Sequence, residues 1–390
     1  MSDKNNKTLK PGWRRVKFGD VVRLSKARSQ DPLADGIERY VGLEHLEPGD
    51  LRIRSWGSVA DGVTFTSVFQ PGQVLFGKRR AYQRKVAVAD FSGVCSGDIY
   101  VLETKDAQVL LPELLPFICQ TDAFFDHAVG TSAGSLSPRT NWESLASFEF
   151  VLPSLDIQSQ IASAITSALE CELAYEQARN NASALFRSAS VELLSPADSW
   201  KQTLLQDVAT VERGKFSHRP RNLPEFFGGP YPFVQTGDIV ASTGDLRGAS
   251  QMLSDEGLKY SKSFPKNSIL ITIAANIGYT AITTQETWCP DSVVGIVPRD
   301  GTNVRFLEYV LRTKQKYLEN HVATQTAQKN INLQDLRPLR LDMPDPVTQK
   351  EVADQLHTLE KAAADLDRRF ATARDFRARL ANEMIGVADV

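Results

Sequence analysis

The sequence predicts an α+β protein. Two homologous mixed α/β domains are separated by two long antiparallel helices that form a coiled-coil rod, with pseudo-twofold symmetry. Three observations predict this fold: the order of motifs is repeated, each repeat begins with short strand-like segments, and each ends in a long segment without glycine or proline. The length of 390 residues also exceeds one ordinary core, since domains of about 150 residues are typical.

The repeat begins at two tryptophans. Trp13 lies in GWRRVKFGDVVRL, and Trp200 lies 187 residues later in SWKQTLLQDVATV. Each tryptophan is followed seven residues on by an aspartate, Asp20 or Asp207. Four further pairs of segments follow in the same order: YVGLEHLEPGDL with FVQTGDIVASTGDL, PGQVLF with PKNSILI, GVCSGDIYVLE with TWCPDSVVGIVP, and FEFVLPSLDIQSQIASAI with LRLDMPDPVTQKEVADQL. Matched pairs in one common order predict a tandem duplication.

Within each repeat, strand-like segments alternate with turns. Short β-branched and aromatic runs such as QVLFGK, DIYVLE, SILITIA and SVVGIVP are separated by Gly, Pro, Asp and Asn, which is typical of strands joined by turns. A helical patch follows in each repeat, PELLPFICQTDAFFDHAV and NVRFLEYVLRTKQKYLENHV. These patterns predict mixed α/β domains at residues 1–153 and 198–344, with helical spacers at 154–197 and 345–390.

The two spacers are predicted to be long helices that pack on each other. Residues 154–195 and 347–385 contain neither Gly nor Pro, and a helix of about 38 residues spans roughly 55 Å. Apolar residues recur at alternating spacings of four and three, as in a coiled-coil seam, and only Arg377 interrupts the second helix. An antiparallel pairing is favoured because a domain separates the helices; the alternative is that each helix packs only on its own domain. The predicted seam includes Ile161, Tyr175 and Leu185 in the first helix and Val352, Leu356, Leu359, Leu366 and Phe370 in the second.

The composition excludes several classes of protein. A net charge of −2 with 42% hydrophobic and 24% charged residues is typical of a globular protein and excludes a polybasic one, although a local basic patch remains compatible with it. The cysteines fit no zinc site and are expected to be buried reduced thiols, and the histidines have no metal-binding spacing. No apolar run approaches the ~18 residues of a membrane span, and no signal peptide is recognisable. We therefore expect a soluble cytoplasmic protein without a metal ion.

Two catalytic motifs are formally present. Gly72 to Lys78 reads GQVLFGK, but Arg79 stands where a phosphate-binding loop needs Ser or Thr, and VLF is strand-like. The segment GTSAG around Ser132 matches G-x-S-x-G, but a helical patch precedes it where that motif needs a strand. A hydrolase that uses Ser132 is therefore kept only as an alternative.

Basic and polar residues of the predicted loops are the candidate DNA-binding residues. Arg and Lys neutralise phosphates, while Arg, Gln and Asn also match the edges of bases. Most candidates form three clusters, at 78–85, 213–221 and 324–332, and a solvated polar loop is the alternative for each. The predicted DNA-binding residues are Lys78, Arg79, Arg80, Tyr82, Gln83, Arg84, Lys85, Arg139, Arg213, Lys215, His218, Arg219, Arg221, Asn276, Thr324, Gln325, Gln328, Lys329 and Asn330.

The whole pattern resembles the specificity subunit of type I restriction-modification systems. The matching segments are Trp13 to Asp20, Trp200 to Asp207, FVQTGDI from Phe233, SILITIAANIG from Ser268, AQKNIN from Ala327, and the helix entries with Pro153 and Gln158 or Pro344 and Gln349. The helix entries depart from the usual Glu-Gln pair, since Ile157 or Thr348 precedes the glutamine here.

The resemblance implies that each domain is a target recognition domain that reads one half of a split sequence in double-stranded DNA. It implies that the helices fix the gap between the halves and dock two methyltransferase subunits, which carry S-adenosylmethionine, while this chain binds no cofactor and catalyses nothing. A restriction and translocase subunit would complete the complex. The alternatives are a tandem-domain hydrolase and a helical scaffold that does not bind DNA; a steep loss of DNA affinity with salt discriminates against both.

Overall fold

The computed structural model describes residues 9, 11–242, 244–322 and 330–385. The chain divides into two compact units. Unit 1 consists of Met1–Arg179 and Leu366–Val390, and unit 2 consists of Asn180–Asp365. Each unit therefore contains one globular domain and a part of each long helix. This division runs through the helices, whereas the predicted boundaries lie at their ends.

The first domain consists of short strands and helices, as the closely spaced turns of its sequence require. Its first and last strands pair antiparallel, so that the two ends of the domain meet beside the start of the long helix. The elements are β1 (Arg14–Lys17), α1 (Phe18–Val21), β2 (Val22–Leu24), β3 (Arg39–Val41), β4 (Gly57–Ser58), β5 (Ser67–Phe69), β6 (Val74–Gly77), β7 (Val86–Val88), β8 (Gly93–Cys95), β9 (Ile99–Thr104), α2 (Leu115–Ile118), α3 (Asp122–Gly130), α4 (Trp142–Ala146), β10 (Glu149–Leu152) and the long helix α5 (Leu155–Leu193), with 3-10 turns at Leu43–His45, Val59–Asp61 and Ala81–Gln83.

Two four-stranded sheets form the body of the first domain. Their strand orders are β2-β9-β6-β7, which is antiparallel throughout, and β4-β3-β8-β5, in which β3 and β8 are parallel. The main core lies between the first sheet and the helices, where Phe18, Phe76 and Phe124 are fully buried and their rings contact one another. Burial of each such side chain stabilises the domain by roughly 1.5–3 kcal/mol.

The second domain has the same topology. Its end strands again pair antiparallel, and its two sheets have the orders β12-β19-β16-β17 and β14-β13-β18-β15, with β13 and β18 parallel. The predicted duplication is therefore confirmed at the level of the fold. The elements are β11 (Lys201–Leu204), α6 (Leu205–Val208), β12 (Ala209–Arg213), β13 (Phe227–Phe233), α7 (Thr236–Val240), β14 (Gln251–Leu253), α8 (Asp255–Leu258), β15 (Lys262–Phe264), β16 (Ile269–Thr272), β17 (Thr280–Ile282), β18 (Thr287–Cys289), β19 (Val293–Pro298), α9 (Val304–Thr313), α10 (Gln315–Tyr317), α11 (Leu333–Leu336), β20 (Arg340–Met343) and the long helix α12 (Pro346–Ile385), with a 3-10 turn at Pro224–Phe226 and a π-turn at Leu318–Val322.

A buried glutamine anchors the start of each long helix. The Gln158 side chain donates to the carbonyl of the proline five residues earlier and accepts from the backbone N–H of Leu111, both at 2.9 Å. Gln349 makes the same two bonds, to the preceding proline and to the N–H of Asn303, again at 2.9 Å. The proline and glutamine in both helix entries thus join each long helix to the domain that precedes it.

Within unit 1 the two helix segments run antiparallel. Ile161, near the start of α5, shares a core with Ala381 and Ile385, which lie at the end of α12. Further along α5, the guanidinium of Arg179 lies 4.4 Å from the ring centroid of Phe370, which is earlier in α12. Rising numbers in one helix therefore meet falling numbers in the other, as predicted.

The structure differs from the predicted seam of α5 at Leu185. Leu185 was assigned to the seam but is 55% exposed, whereas the next residue, Phe186, packs against the core of unit 2. The same shift places buried Glu172 in the seam and leaves its neighbour Cys171 exposed, although the other three cysteines are buried as expected. The alternate seam positions include the charged residues Glu172 and Arg179, which a search for apolar spacing passes over.

The seam of α12 follows the prediction more closely. The interruption at Arg377 is part of the seam: this side chain is only 4% exposed, and its Nε donates to Glu172 at 2.5 Å. The heptad pattern is therefore continuous in space, with a buried ion pair at one of its levels. Among the other predicted seam residues, Ile161, Val352 and Leu356 are buried, and Tyr175, Leu359, Leu366 and Phe370 are half-buried.

The two formal catalytic motifs form ordinary structure. The segment that resembles a phosphate-binding loop is largely strand β6. Ser132 follows α3, and its hydroxyl donates to the carbonyl of Ala128 at 2.7 Å, while the nearby His127 bonds to the carbonyl of Ser144. Among the described residues, no group of His, Cys, Asp and Glu has the arrangement of a metal site, and none of the helices has the length and apolar character needed to cross a bilayer.

Candidate nucleic-acid interface

The first basic cluster forms the connection between β6 and β7. Arg80 and Arg84 flank a single 3-10 turn, and both have left-handed backbone conformations, with φ of 53° and 56°. Such a conformation costs roughly 1–2 kcal/mol for a residue with a β-carbon, so it persists only where neighbours hold it. The backbone N–H of Arg80 donates to the carbonyl of Pro138 at 2.7 Å, which fixes the connection against the loop that follows α3.

The cations of this cluster have partners within unit 1. Three of the six cations bind the two carboxylates Asp98 and Asp122, and the other three have uncharged partners, so the cluster keeps a net positive charge. Tyr82 at the tip is 55% exposed. Arg79 and Arg139 bind Asp98, Arg80 binds the Ser137 hydroxyl, Arg84 binds Asp122 and lies over the ring of Phe125, Lys85 binds the Leu43 carbonyl, and Lys78 lies over the ring of Tyr100.

Asp98 organises the two loops of this cluster. Its partial burial raises its pKa, but hydrogen bonds and charges from Arg139 and Arg79 outweigh burial and hold the pKa below its ordinary value. The Arg139 guanidinium has a raised pKa through the same bond. Asp98 therefore remains a carboxylate at neutral pH and holds both exposed Arg139 and half-buried Arg79 in place.

The second basic cluster converges on Asp291 in unit 2. Arg221 donates to both carboxylate oxygens of Asp291, at 2.7 and 2.8 Å. The guanidinium of Arg219 lies 3.7 Å from the same carboxylate, and Arg213 donates to the backbone carbonyl of Asp291. Two guanidiniums at one carboxylate, with a third bonded to the same residue's backbone, leave a net positive charge near exposed Lys215.

His218 was predicted to bind DNA with the second basic cluster. Its ring packs between the rings of Phe226 and Tyr260, with centroids 4.7 and 4.9 Å away. It is therefore half-buried and part of an aromatic cluster, while its Nδ1 lies 3.2 Å from the Pro220 carbonyl.

The third predicted cluster lies only partly within the described residues. Thr324, Gln325, Gln328 and Lys329 lie outside them. Asn330 is half-buried, and the next residue, Ile331, pairs through its backbone N–H with the carbonyl of Ile273 at 3.0 Å. Asn276 is exposed in the turn that follows, between β16 and β17. The structure thus brings Asn276 and the Asn330 segment to adjacent positions.

The first cluster and the turn that contains Asn276 occupy equivalent places in the two domains. The connection between β6 and β7 corresponds to the turn between β16 and β17. In the first domain this connection is bonded to a later loop through the N–H of Arg80 and the carbonyl of Pro138. In the second domain the turn is bonded to a later segment through the carbonyl of Ile273 and the N–H of Ile331. The second cluster lies elsewhere, in the connection after β12. Its counterpart after β2 contains Lys26 and Arg28, which the sequence prediction did not select.

Further basic residues of unit 1 were missed because they lie on the C-terminal helix. Arg374, Arg377 and Arg379 line an open pocket of about 500 Å³ together with Arg84 and Gln120 of the first domain. Arg374 and Arg379 are exposed, whereas Arg377 is buried in the seam. These arginines are almost 300 residues distant from Arg84 in sequence, so no local cluster of charge marked them.

Comparison with known proteins identifies the family. The family model of the type I restriction modification DNA specificity domain matches this chain twice, at residues 12–182 and 197–369. The chain belongs to this family. The two matches begin just before Trp13 and Trp200, where the sequence repeat also begins. The predicted resemblance is therefore confirmed.

Curated members of the family align with parts of the chain. The specificity subunit of the type I restriction enzyme EcoDI from Escherichia coli is 28% identical over 195 residues, which cover 47% of this chain and 41% of the relative. The MjaIX specificity subunit from Methanocaldococcus jannaschii is 26% identical over 165 residues, covering 40% of this chain and 37% of the relative. The chain thus matches about two fifths of the length of these relatives.

Solved structures show the same fold over the whole chain. The S subunit of a type I restriction-modification system from M. genitalium matches with a TM-score of 0.65 at 12% identity, covering 100% of this chain and 99% of that one. A chain from a study of complex assembly and conformational transition of the type I R-M system matches with a TM-score of 0.61 at 19% identity, covering 97% of both. At these identities the likeness establishes the fold.

Proposed function

We propose that this chain is the sequence-specific DNA-binding subunit of a type I restriction-modification complex. Each domain is proposed to read one half of a split target in double-stranded DNA. The observation that carries the proposal is the duplication: two domains of one topology, both matched by the DNA specificity family, present different side chains at their loops. Two readers of one fold with different contact residues are suited to two different half-sites.

The first domain is proposed to contact DNA through the connection between β6 and β7 and through Arg139. Arginines held by Asp98 keep part of their fork of donors outward, and an arginine with fixed orientation can bind guanine or phosphate with two bonds. The second domain presents fewer cations at the equivalent turn, where Asn276 is exposed. Its positive charge comes from the Asp291 cluster instead, so the two half-sites would be contacted by different parts of the common fold.

The long helices are proposed to dock two methyltransferase subunits. Several large apolar side chains of the helices are exposed in the units that contain them: Leu185, Val191 and Val347 in unit 2 and Phe376 in unit 1. Exposed apolar side chains on a helix favour a partner protein. S-adenosylmethionine and the catalytic residues would then belong to the methyltransferase, and a restriction and translocase subunit would join the complex, which acts on DNA in the cytoplasm.

Methylation sequencing tests the proposal directly. The chain is expressed with its methyltransferase partner in a host without other adenine methylation, and modified positions are mapped. The expected result is a single bipartite motif with an unspecified spacer. Absence of any motif, or a motif that is unchanged when this chain is omitted, would overturn the proposal.

Salt dependence separates DNA binding from the two alternatives. A protein that neutralises several phosphates loses affinity steeply as salt rises, with a slope of log K against log[salt] of about −0.9 for each phosphate. We expect such a slope for duplexes that contain the motif. A Ser132→Ala variant should methylate normally, because Ser132 only caps the end of α3. Loss of activity in that variant at unchanged stability would favour the hydrolase.

The helices are further proposed to set the spacer between the half-sites. Insertion of one heptad into both α5 and α12 keeps the seam in register and lengthens each helix by about 10 Å, or about three base-pair rises. The half-site bases should remain the same while the spacer grows, or activity should fail if docking is lost. An unchanged spacer at full activity would show that the helices do not set the distance. A three-residue insertion, which rotates the seam, serves as the control.

A further inference from the structure

An open pocket of about 470 Å³ lies in unit 2, on the sheet that contains β13 and β14. Its floor consists of the buried side chains of Phe216, Phe233 and Pro290. Half-buried Phe227 forms a wall, and its ring is nearly parallel to that of Phe216, with an interplanar angle of 16° and centroids 6.3 Å apart. The pocket therefore offers flat aromatic surfaces, on which a planar ligand can stack.

Two glutamine side chains stand at the mouth of this pocket. The amide of Gln235 donates to the amide oxygen of Gln251 at 3.0 Å. One such bond uses one donor and one acceptor, so the pair still carries a carbonyl oxygen and N–H groups side by side. Exchange of oxygen and nitrogen in both amides leaves the same set, so this conclusion does not depend on their orientation. The mouth is thus complementary to a planar ligand whose edge has a hydrogen-bond donor beside an acceptor, such as an amino group next to an unprotonated ring nitrogen.

The rim of the pocket is cationic. Arg221 lines it, and Arg221 shares the carboxylate of Asp291 with Arg219. Asp291 directly follows Pro290 of the pocket floor, so the positive charge of the second basic cluster lies beside the aromatic surfaces. Aromatic walls, an amide pair and a cationic rim together match a nucleotide, whose base stacks while its phosphate is neutralised.

The first domain has different residues at the positions that correspond to this pocket. Arg28 occupies the place of Phe216: Arg28 forms an isolated antiparallel bridge with Ser67 at the start of β5, and Phe216 forms the same kind of bridge with Ser261 just before β15. Gly42 stands in the place of Gln235, since the backbone N–H of each is capped by the side chain three residues later. The pocket is therefore a property of the second recognition domain.

We infer that this pocket binds a single unstacked nucleobase through an edge that has a hydrogen-bond donor beside an acceptor. This inference rests on the proposed function, because the source we assign is a base swung out of the second half-site of bound DNA. A free nucleotide has the same chemistry and is the other source. Swinging a base out of a duplex has a cost, which is smallest where the base is already mispaired.

The test uses the full chain in complex with its methyltransferase, and DNA duplexes that contain the target motif mapped by methylation sequencing. The fluorescent base 2-aminopurine, which also carries an amino group beside a ring nitrogen, replaces each base of the second half-site in turn. One position is expected to brighten several-fold on binding, and a mismatch at that position should tighten binding about 10-fold. The methyltransferase also unstacks its target base, so only a signal that depends on pocket residues counts.

Two variants and one control identify the signal. Gln251→Ala removes an exposed amide, and Phe227→Leu removes an aromatic face but keeps apolar volume; both should abolish the fluorescence change and the mismatch preference. Met252→Ala is the matched control, because Met252 is exposed on the same strand and neighbouring side chains of a strand point to opposite faces. It should leave both signals unchanged.

A second arm titrates adenosine 5′-monophosphate and cytidine 5′-monophosphate into the full chain and follows its tryptophan fluorescence, to which Trp288 of the same aromatic cluster contributes. Binding that is lost in both variants, without a 2-aminopurine signal in DNA, upholds the site and assigns it to a free nucleotide. Motif-specific DNA binding with neither signal overturns the inference while leaving the proposed function intact. Failure to bind the motif at all counts instead against the proposed function.

Discussion

The two units have one topology but stabilise their helix contacts with different buried charges. In unit 1 the cation comes from the long helix: Arg377 of α12 binds Glu172 of α5 and also the side chain of Gln120 and the carbonyl of Gly49 in the domain. Both charged side chains are almost fully buried, with exposures of 4% and 10%. One arginine thus joins two helices and the domain.

In unit 2 the cation comes from the domain. Arg312 of α9 binds Glu308 one turn earlier and Glu360 of α12, and Glu360 also accepts from the hydroxyl of Tyr309 at 2.9 Å. Glu308 is itself bonded by Thr280, so the network is satisfied on all sides. Arg312 corresponds to Gln120 of the first domain, since each lies nine residues after the backbone N–H that binds the anchoring glutamine. At this place of the repeat, Arg312 donates to the long helix in unit 2, whereas Gln120 accepts from it in unit 1.

The difference shows what the duplicated fold requires at this contact. The glutamine anchor and the sheet orders are retained in both units, and the helix that follows each domain carries a buried glutamate in both, whereas the element that supplies the cation is α12 in unit 1 and α9 in unit 2. A buried ion pair that loses one partner is strongly destabilising, whereas loss of both partners together is often neutral. A cation must therefore be present wherever the helix buries a glutamate, but the two units take that cation from different elements.

The largest effect is expected from Arg377→Met in unit 1. The substitution keeps much of the side-chain volume but leaves Glu172 buried without its cation, so it should lower the free energy of unfolding by about 3–5 kcal/mol. Combined Arg377→Met and Glu172→Leu should recover most of the loss. The measurement is urea unfolding of the full chain, in which the transition of unit 1 is followed. Arg379→Ala, an exposed arginine of the same helix, is the control. A loss below about 1 kcal/mol for Arg377→Met would show that the pair is solvated.

A smaller effect on the free energy of unfolding is expected from exchanging Tyr and Phe at the equivalent positions 309 and 117 of the two repeats. Tyr309→Phe in unit 2 removes the hydroxyl that binds Glu360 and should cost about 1.5–3 kcal/mol, the range for hydrogen bonds to charged groups. The place of Tyr309 in unit 1 is held by Phe117, which is 3% exposed. Phe117→Tyr should also destabilise, by about 1–3 kcal/mol, because it buries a hydroxyl where no carboxylate was placed to accept from it. Equal stability of Phe117→Tyr and the wild-type chain in urea would contradict the contrast between the units.

Much of the fold was predictable because it depends on local pattern and repetition. Five matched segments established the duplication, and the absence of Gly and Pro located both long helices to within a few residues. The antiparallel pairing in unit 1 followed from the same reasoning. These features are visible in sequence because turn residues and apolar spacing act over short distances along the chain.

The errors concern charged residues in apolar places. Glu172 and Arg377 are distant in sequence, and each on its own is unfavourable inside a protein, so neither was expected in the seam. Only their contact makes burial acceptable. Leu185 was chosen because it is apolar, although the geometry of α5 gives the seam to Phe186 instead. The pocket arginines of α12 were missed for the same reason, since contacts between the domain and a distant helix leave no local signal.

The third prediction concerns the Asp291 cluster and DNA. Lys215→Ala and Arg219→Ala should each reduce the slope of log K against log[salt] by about 1 if each residue neutralises one phosphate. Arg221→Ala should act differently, because Arg221 holds Asp291 with two short bonds and its loss disturbs the loop. Fluorescence anisotropy with a motif duplex at several salt concentrations measures the slopes. Unchanged slopes in both single variants would mean that this cluster is solvated and that the first domain supplies the phosphate contacts.

The smallest expected effect is an opposite pH dependence of the two units. In unit 1, Glu176 lies in a network with Arg54 and Arg52. Burial raises the pKa of Glu176, but the hydrogen bonds and charges of the two arginines lower it by more, so the pKa is below its ordinary value. A carboxyl with a lowered pKa stabilises the folded state above its unfolded pKa, and this contribution is lost as the pH falls through the folded value. The cost of Glu176→Gln should therefore be present at pH 6 and shrink towards pH 3.

Glu308 in unit 2 should behave in the opposite way. Burial raises its pKa more than Arg312 lowers it. Its contribution is therefore complete below the unfolded pKa and is lost as the pH rises through the folded value. The cost of Glu308→Gln, measured by urea unfolding at pH 4 and pH 7, should be larger at pH 4. A cost that falls on acidification, as expected for Glu176→Gln, would show that Arg312 dominates Glu308 and that the two units titrate alike. Because the two variants are measured on the same chain, each serves as the reference for the other.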